Sequence, residues 1–149
     1  MTQDSILQEV LEYMIPLIHP KKEDFYSKAM DIFDYIDAIC SLAETINNSK
    51  VVPLLKKLQN HCELMGLMCS DILETEDWMK ERKAFLELRI AKALAICDYK
   101  HGYQILIDYL DDIRTILSDY AYKTLKVISG KNFKKKRTYW EEWLSNEKV

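Results

Sequence analysis

The sequence predicts an all-α protein, an up-and-down helical bundle of about five helices plus a short C-terminal helix. Three observations point there. Glycine and proline together number only six among 149 residues, where roughly 12% of an average chain is one or the other; turn-rich sandwiches and barrels need more. Apolar residues make up 48% and charged residues 30%, a balance that supports a packed core rather than disorder. The apolar residues also recur at steps of three and four over long stretches, the period of an amphipathic helix. A chain of this length buries roughly 68–70% of the surface its unfolded form exposes, enough for a core without staples.

Asp4 and Ser5 are good N-caps for a first helix with Ile6, Leu7, Val10, Leu11, Met14 and Leu17 at helical spacing. Pro16 lacks a backbone donor and should kink or end it, and His19-Pro20-Lys21-Lys22 reads as a turn. Glu23 and Asp24 suit the positive end of a second helix, whose apolar stripe from Phe25 to Ile46 predicts one continuous helix over 25–46. Asn47-Asn48-Ser49 ends it. Ser49 is the expected cap of a third helix, with Pro53 in its first turn and a stripe from Val51 through Leu58, Cys62, Met65 and Cys69 to Leu73. A fourth runs from about Asp77 to Tyr99, with Trp78, Phe85, Leu88 and Leu94 inward. His101-Gly102 is the expected corner, because glycine commonly follows a helix in the left-handed conformation. A fifth helix carries apolar residues from Ile105 to Ile128 and stops at Gly130. Short connections favour antiparallel neighbours. Buried positions should include Ile32, Phe33, Ile36, Leu58, Cys62, Met65, Leu94, Ile113 and Leu117. No 34-residue helix-pair motif of the tetratricopeptide kind recurs.

The organisation expected is a bundle over residues 1–130, then a basic connector and a short aromatic helix over 131–149. Residues 1–129 carry a net charge of −6 and residues 130–149 a net +3. An acidic body does not suit the phosphate backbone; nucleic acid is expected only through Lys131, Lys134, Lys135, Lys136 and Arg137. In the segment after them Trp140, Trp143 and Leu144 share one helical face. Two exposed tryptophans would be costly, so that face should dock, with the chain's own bundle the favoured anchor and a homodimer the runner-up.

The four cysteines, Cys40, Cys62, Cys69 and Cys97, show no C-x-x-C spacing and sit in apolar helical contexts. No signal-peptide pattern precedes them and no apolar run approaches a membrane span. Reduced thiols in a cytoplasmic protein are expected. His61 and Cys62 are adjacent, which points their side chains about 100° apart on a helix and leaves no thiol–imidazole pair. Gly66, Gly102 and Gly130 lie too far apart for a phosphate loop. The Arg-to-His spacing of helical HEPN ribonucleases is missing. No cofactor or metal site is expected, since no Glu-x-x-His pair or clustered Cys/His set is written in the sequence.

Two acidic rows stand out. Asp31, Asp34 and Asp37 recur every three residues on the second helix, and Asp108, Asp111 and Asp112 cluster on the fifth. Facing carboxylates hold Mg²⁺ against a diphosphate in all-helical pyrophosphohydrolases, because magnesium prefers carboxylates, water and phosphate oxygens. Those enzymes use paired E-x-x-E and E-x-x-D runs, and here the row residues are aspartates.

Ala95-Ile96-Cys97-Asp98-Tyr99, followed by Leu106-Ile107-Asp108-Tyr109-Leu110, Ile113 and Leu117, resembles uncharacterised all-helical domains of Gram-positive bacteria. Met30-Asp31-Ile32-Phe33-Asp34-Tyr35-Ile36 is similar to an earlier helix of such domains. The resemblance covers roughly residues 5–125 and implies a helical fold with no known activity. In size and helical character the chain is also similar to flagellar export chaperones.

The function expected is therefore a non-enzymatic, cytosolic protein-interaction module, adaptor or small chaperone, with Tyr109, Tyr120, Trp140 and Trp143 as candidate partner contacts. Tyrosine and tryptophan suit both a bundle's rim and a partner surface. The alternative is a Mg-dependent nucleotide or diphosphate hydrolase using Asp31, Asp34, Asp108 and Asp111, which requires those four carboxylates to share one cleft.

Overall fold

Residues 3–18, 31–62, 64 and 77–147 are described by the computed structural model. They form seven α-helices and no strand: α1 (Gln3–Met14), α2 (Asp31–Ile46), α3 (Val52–His61), α4 (Asp77–Ile96), α5 (Lys100–Asp108), α6 (Thr115–Ser129) and α7 (Arg137–Asn146). The chain is an all-α helical bundle. Residues 25–30 of the expected second helix, the 19–22 turn, and Met65, Cys69, Ile72 and Leu73 of the third lie outside the described residues, as do the side chains of Asp31 and Trp78. No described helix is long and apolar enough to cross a membrane.

Local chemistry sets the boundaries. Pro16 closes α1 into one turn of 3₁₀ helix over Ile15–Leu17. Asn47 ends α2 in the left-handed conformation, φ 49°. Asn48, rather than the expected Ser49, caps the next turn: its side chain accepts a hydrogen bond from the Lys50 backbone N–H at 2.8 Å. Pro53 lies in the first turn of α3.

The corner between α4 and α5 falls at Asp98, not at His101-Gly102. Asp98 is left-handed with φ 65°. The Asp98 and Tyr99 amides donate back to the Ala95 and Leu94 carbonyls, a Schellman closure in which aspartate takes the usual place of glycine. Gly102 sits instead inside α5 for a packing reason. A Cβ there would lie 2.6 Å from the Ala95 nitrogen, 2.7 Å from the Ala91 carbonyl oxygen and 2.9 Å from the Leu94 Cβ. Only glycine lets α5 approach α4 this closely.

The expected fifth helix is two. The Asp112 carboxylate accepts from the Arg114 backbone N–H at 2.9 Å and pairs with its guanidinium at 2.8 Å. An aspartate side chain that bonds the amide two residues on offers the backbone an alternative to the helix, so the chain breaks over 112–114 before α6. The break turns Ile113 outward, and it is 53% exposed rather than buried. Gly130 ends α6 as expected, at φ 72°.

Two apolar clusters share α4. One joins α1, α2 and α3 to Leu86, Ile90, Ala93 and Leu94 of α4 and to Cys97 just after it. The other joins α5, α6 and α7 to Ala84, Leu88 and Ala91. Ile32, Ile36, Leu58, Cys62, Leu94 and Leu117 are buried as expected, and Phe33 is half-buried. From Ala84 to Ile96 the side chains left unburied are Phe85, Arg89, Lys92 and Ile96, which fall on one narrow strip at helical spacing.

Candidate functional site

Two residues of that strip, Phe85 and Arg89, line a cleft of about 260 Å³ between α2, α4 and α6. Its walls are the rings of Phe33, Phe85 and Tyr120 with Leu86, and its polar groups are Asp34, Asp37 and Arg89. Asp34 and Asp37 lie one turn apart on α2, and Ser41 and Glu44 continue the same face. Arg89 crosses to that face: Nε donates to Asp37 at 2.7 Å, Nη1 to Glu44 at 2.6 Å and Nη2 to the Ser41 hydroxyl at 3.2 Å. The guanidinium is thereby occupied on three sides. Asp34 is exposed and has no hydrogen bond or ion pair among the described residues. Phe85 and Tyr120 meet edge to face, their centroids 5.8 Å apart and their planes at 80°.

Burial raises the Tyr120 hydroxyl above its ordinary pKa, opposed by Arg89 and reinforced by Asp37. Behind the cleft Cys40 is buried, and desolvation pushes its thiol up to about 12. A thiol in that state is neither a nucleophile nor a metal ligand at neutral pH. The arrangement is therefore equipped to bind, with an acid at its lip and aromatic walls.

The second acidic row is engaged elsewhere. Asp108 accepts from Gln104 at 2.9 Å and pairs with Arg137 at 2.6 Å. Asp111 lies 3.5 Å from the same guanidinium, which also meets Glu141. Asp112 holds Arg114. Neither Asp108 nor Asp111 lines the cleft at Asp34, and the Asp31 side chain lies outside the described residues. Among the described residues no group of three His, Cys, Asp or Glu is placed to hold a metal ion. His61 bonds the Ile18 carbonyl, and the His101 ring stands edge-on to Tyr99.

Of the aromatic candidates, Tyr109 is 1% exposed and donates its hydroxyl to Glu87 at 2.5 Å. Trp140 is fully buried, with its indole N–H on the Lys134 carbonyl at 3.0 Å and its ring against Phe133, Tyr122 and Trp143. Both belong to the second apolar cluster, so the tail docks on its own chain. A partner reaches neither side chain without opening that cluster. Trp143 is half-buried beside Tyr103, centroids 5.3 Å apart, and Tyr120 lines the cleft. In the basic connector Lys131, Lys134 and Lys136 face solvent, whereas Lys135 is tied to Asp119 at 2.6 Å and Ser118 at 2.8 Å. That bond holds the Asp119 carboxyl below its usual range.

The surface also carries an apolar line that the sequence reading did not separate from the core stripe. Leu11, Ile15 and Ile18 bury one side of the first helical segment, with Leu7 and Met14 at its margins. Ile6, Val10, Tyr13 and Leu17 are exposed on another side. No protein-family model, no curated protein and no solved structure matches the chain.

Arg89 and the α1 line were the residues missed. The signal for the first was a lone arginine inside Leu86-Glu87-Leu88-Arg89-Ile90-Ala91, where a charge among buried neighbours needs a partner. The signal for the second was a surplus: α1 has more apolar positions than a single buried face uses.

Proposed function

We propose that the chain is a cytosolic, non-enzymatic protein-interaction module that receives a basic amphipathic helix of a partner protein along α1. One observation carries the reading: Ile6, Val10, Tyr13 and Leu17, at steps of four, three and four, are 41 to 71% exposed on a segment whose other apolar side is packed. That spacing is the seam of a helix–helix contact.

The partner's charge follows from α1 itself, which holds Asp4, Glu9 and Glu12 and no lysine or arginine. A second copy would set acidic rows along one another, whereas a helix with lysines beside its leucines pairs with them. Burying the exposed part of four such side chains contributes about 1 kcal/mol each, set against an association cost of roughly 4–15 kcal/mol. The complex is accordingly a transient one, strengthened by charge and weakened by salt.

A photo-crosslinking residue at position 13 of the full chain, irradiated in native cells, tests this. The crosslinked contact should map by mass spectrometry to a Lys/Arg-rich amphipathic helix. Val10→Glu should abolish the crosslink, and Val127→Glu should leave it. Crosslinks indifferent to Val10→Glu, or contacts with a second copy or an acidic segment, would refute the reading.

A further inference from the structure

The cleft over α4 has a chemistry of its own, separate from the α1 seam. Its aromatic walls and its acidic lip are the two things a desolvated cation needs, since a ring face attracts positive charge and a carboxylate compensates it. Phe85 and Tyr120, with planes at 80°, form a corner rather than a flat platform. A corner suits a roughly spherical ammonium head, whereas a planar guanidinium stacks best on one face. Phe33 adds a third ring on the α2 side.

The one cation already present does not fill this role. Arg89 directs its donors away from Asp34, to Asp37, Glu44 and Ser41. Asp37 and Glu44 hold the guanidinium, and Asp34, exposed in the cleft lining, is left without a partner among the described residues. A volume of about 260 Å³ lies just under the roughly 300–1,000 Å³ of pockets that enclose drug-sized ligands, so the occupant is small.

We infer that this cleft binds a small organic ammonium ion, its head in the corner of Phe85 and Tyr120 and its charge facing Asp34. Leu86 provides an apolar wall for the remainder of the ligand. The inference does not depend on the α1 reading, and either can fail without the other.

The test is a titration of the full-length protein with choline, followed by NMR of the Phe85 and Tyr120 ring resonances at constant ionic strength. Its control is 3,3-dimethyl-1-butanol, the neutral carbon analogue of choline. The expected result is saturable shifts confined to the cleft, with affinity about tenfold higher for choline than for the neutral analogue. Ethanolamine as a third probe separates a preference for methylated from unmethylated ammonium, and saturation by either supports the site. Asp34→Asn, at an exposed position that makes no bond, should weaken binding several-fold while leaving the melting curve unchanged. Equal response to choline and its neutral analogue overturns the inference. So do shifts that never saturate, shifts outside the cleft, or an Asp34→Asn protein that binds as well as the parent.

Discussion

Replacing Gly102 by alanine pits two effects against each other, and the structure says which wins. Alanine in a helix interior is favoured over glycine by roughly 0.5–1 kcal/mol. The added methyl would meet the Ala95 nitrogen at 2.6 Å, the Ala91 oxygen at 2.7 Å and the Leu94 Cβ at 2.9 Å, against an optimal carbon contact of about 3.5–4.0 Å. Two of those atoms are main chain and the third is the first atom of a side chain, so no rotamer change relieves the clash. The helices α4 and α5 must separate by roughly 1 Å, which forfeits a quarter to a half of the dispersion energy along their contact. Overpacking of this kind costs about 1–3 kcal/mol. Taking the upper end and subtracting the helix-propensity gain leaves about 2 kcal/mol of net destabilisation, or a fall in melting temperature of about 4–8 °C for a chain of this size. Gly130→Ala is the internal control. Nothing lies within 4 Å of that site and the strain is conformational, from φ 72°, worth roughly 1–2 kcal/mol less the entropy removed from the unfolded chain. Calorimetry of the two variants should therefore rank Gly102→Ala as the more damaging. If Gly102→Ala melts at or above the parent temperature, the close approach of α5 to α4 is wrong.

Trp140→Ala should cost about 3–5 kcal/mol in urea unfolding, and removal of residues 131–149 should lower the melting temperature without altering the oligomeric state seen in light scattering. Asp112→Asn keeps an acceptor for the Arg114 amide, so it should be milder than Asp112→Ala by about 1 kcal/mol; equal losses would mean the side-chain turn is not what breaks the helix. Burial pushes Cys40, Cys62 and Cys97 from 9.0 up to about 12, 11 and 11. The folded chain thus keeps protons that the unfolded chain sheds, and stability should be complete below about pH 9 and decline as pH climbs through 11. In the same vein, peptide mapping after brief alkylation at pH 8 should find these three thiols unmodified in the folded protein and modified in denaturant.

What could be read from sequence was whatever depends on near neighbours. Pro16, the left-handed Gly130 and the apolar face of Trp140, Trp143 and Leu144 each act within a few residues, and each appears where the pattern put it. Failures occurred where a local signal had two meanings. Gly102 looked like a helix terminator, and its role is instead to admit α4, a fact held by residues 7 to 11 positions away and by the packing of two helices. Ile113 fitted a helical stripe that the Asp112 side chain interrupts. The acidic rows illustrate the longer range: Arg137 reaches Asp108 across 29 positions and Arg89 reaches Asp37 across 52. Periodicity assigns a carboxylate to a face but does not say which distant cation faces it. Asp34 and Tyr120 were both singled out, for unrelated reasons, and only the fold brings them to one cleft.

The position of that cleft has a thermodynamic consequence. Because α4 is the wall between both apolar clusters, and its Phe85, Leu86 and Arg89 line the cleft, a molecule bound there touches the element that both halves of the fold share. Linkage then makes occupancy a property of the whole chain: a ligand at a hundred times its dissociation constant raises the unfolding free energy by about 2.7 kcal/mol. Amide hydrogens on the α1 side and on the α7 side, which would otherwise open independently, should slow together on binding, although neither helix touches the ligand. A helix with a free outer face could not couple them in this way.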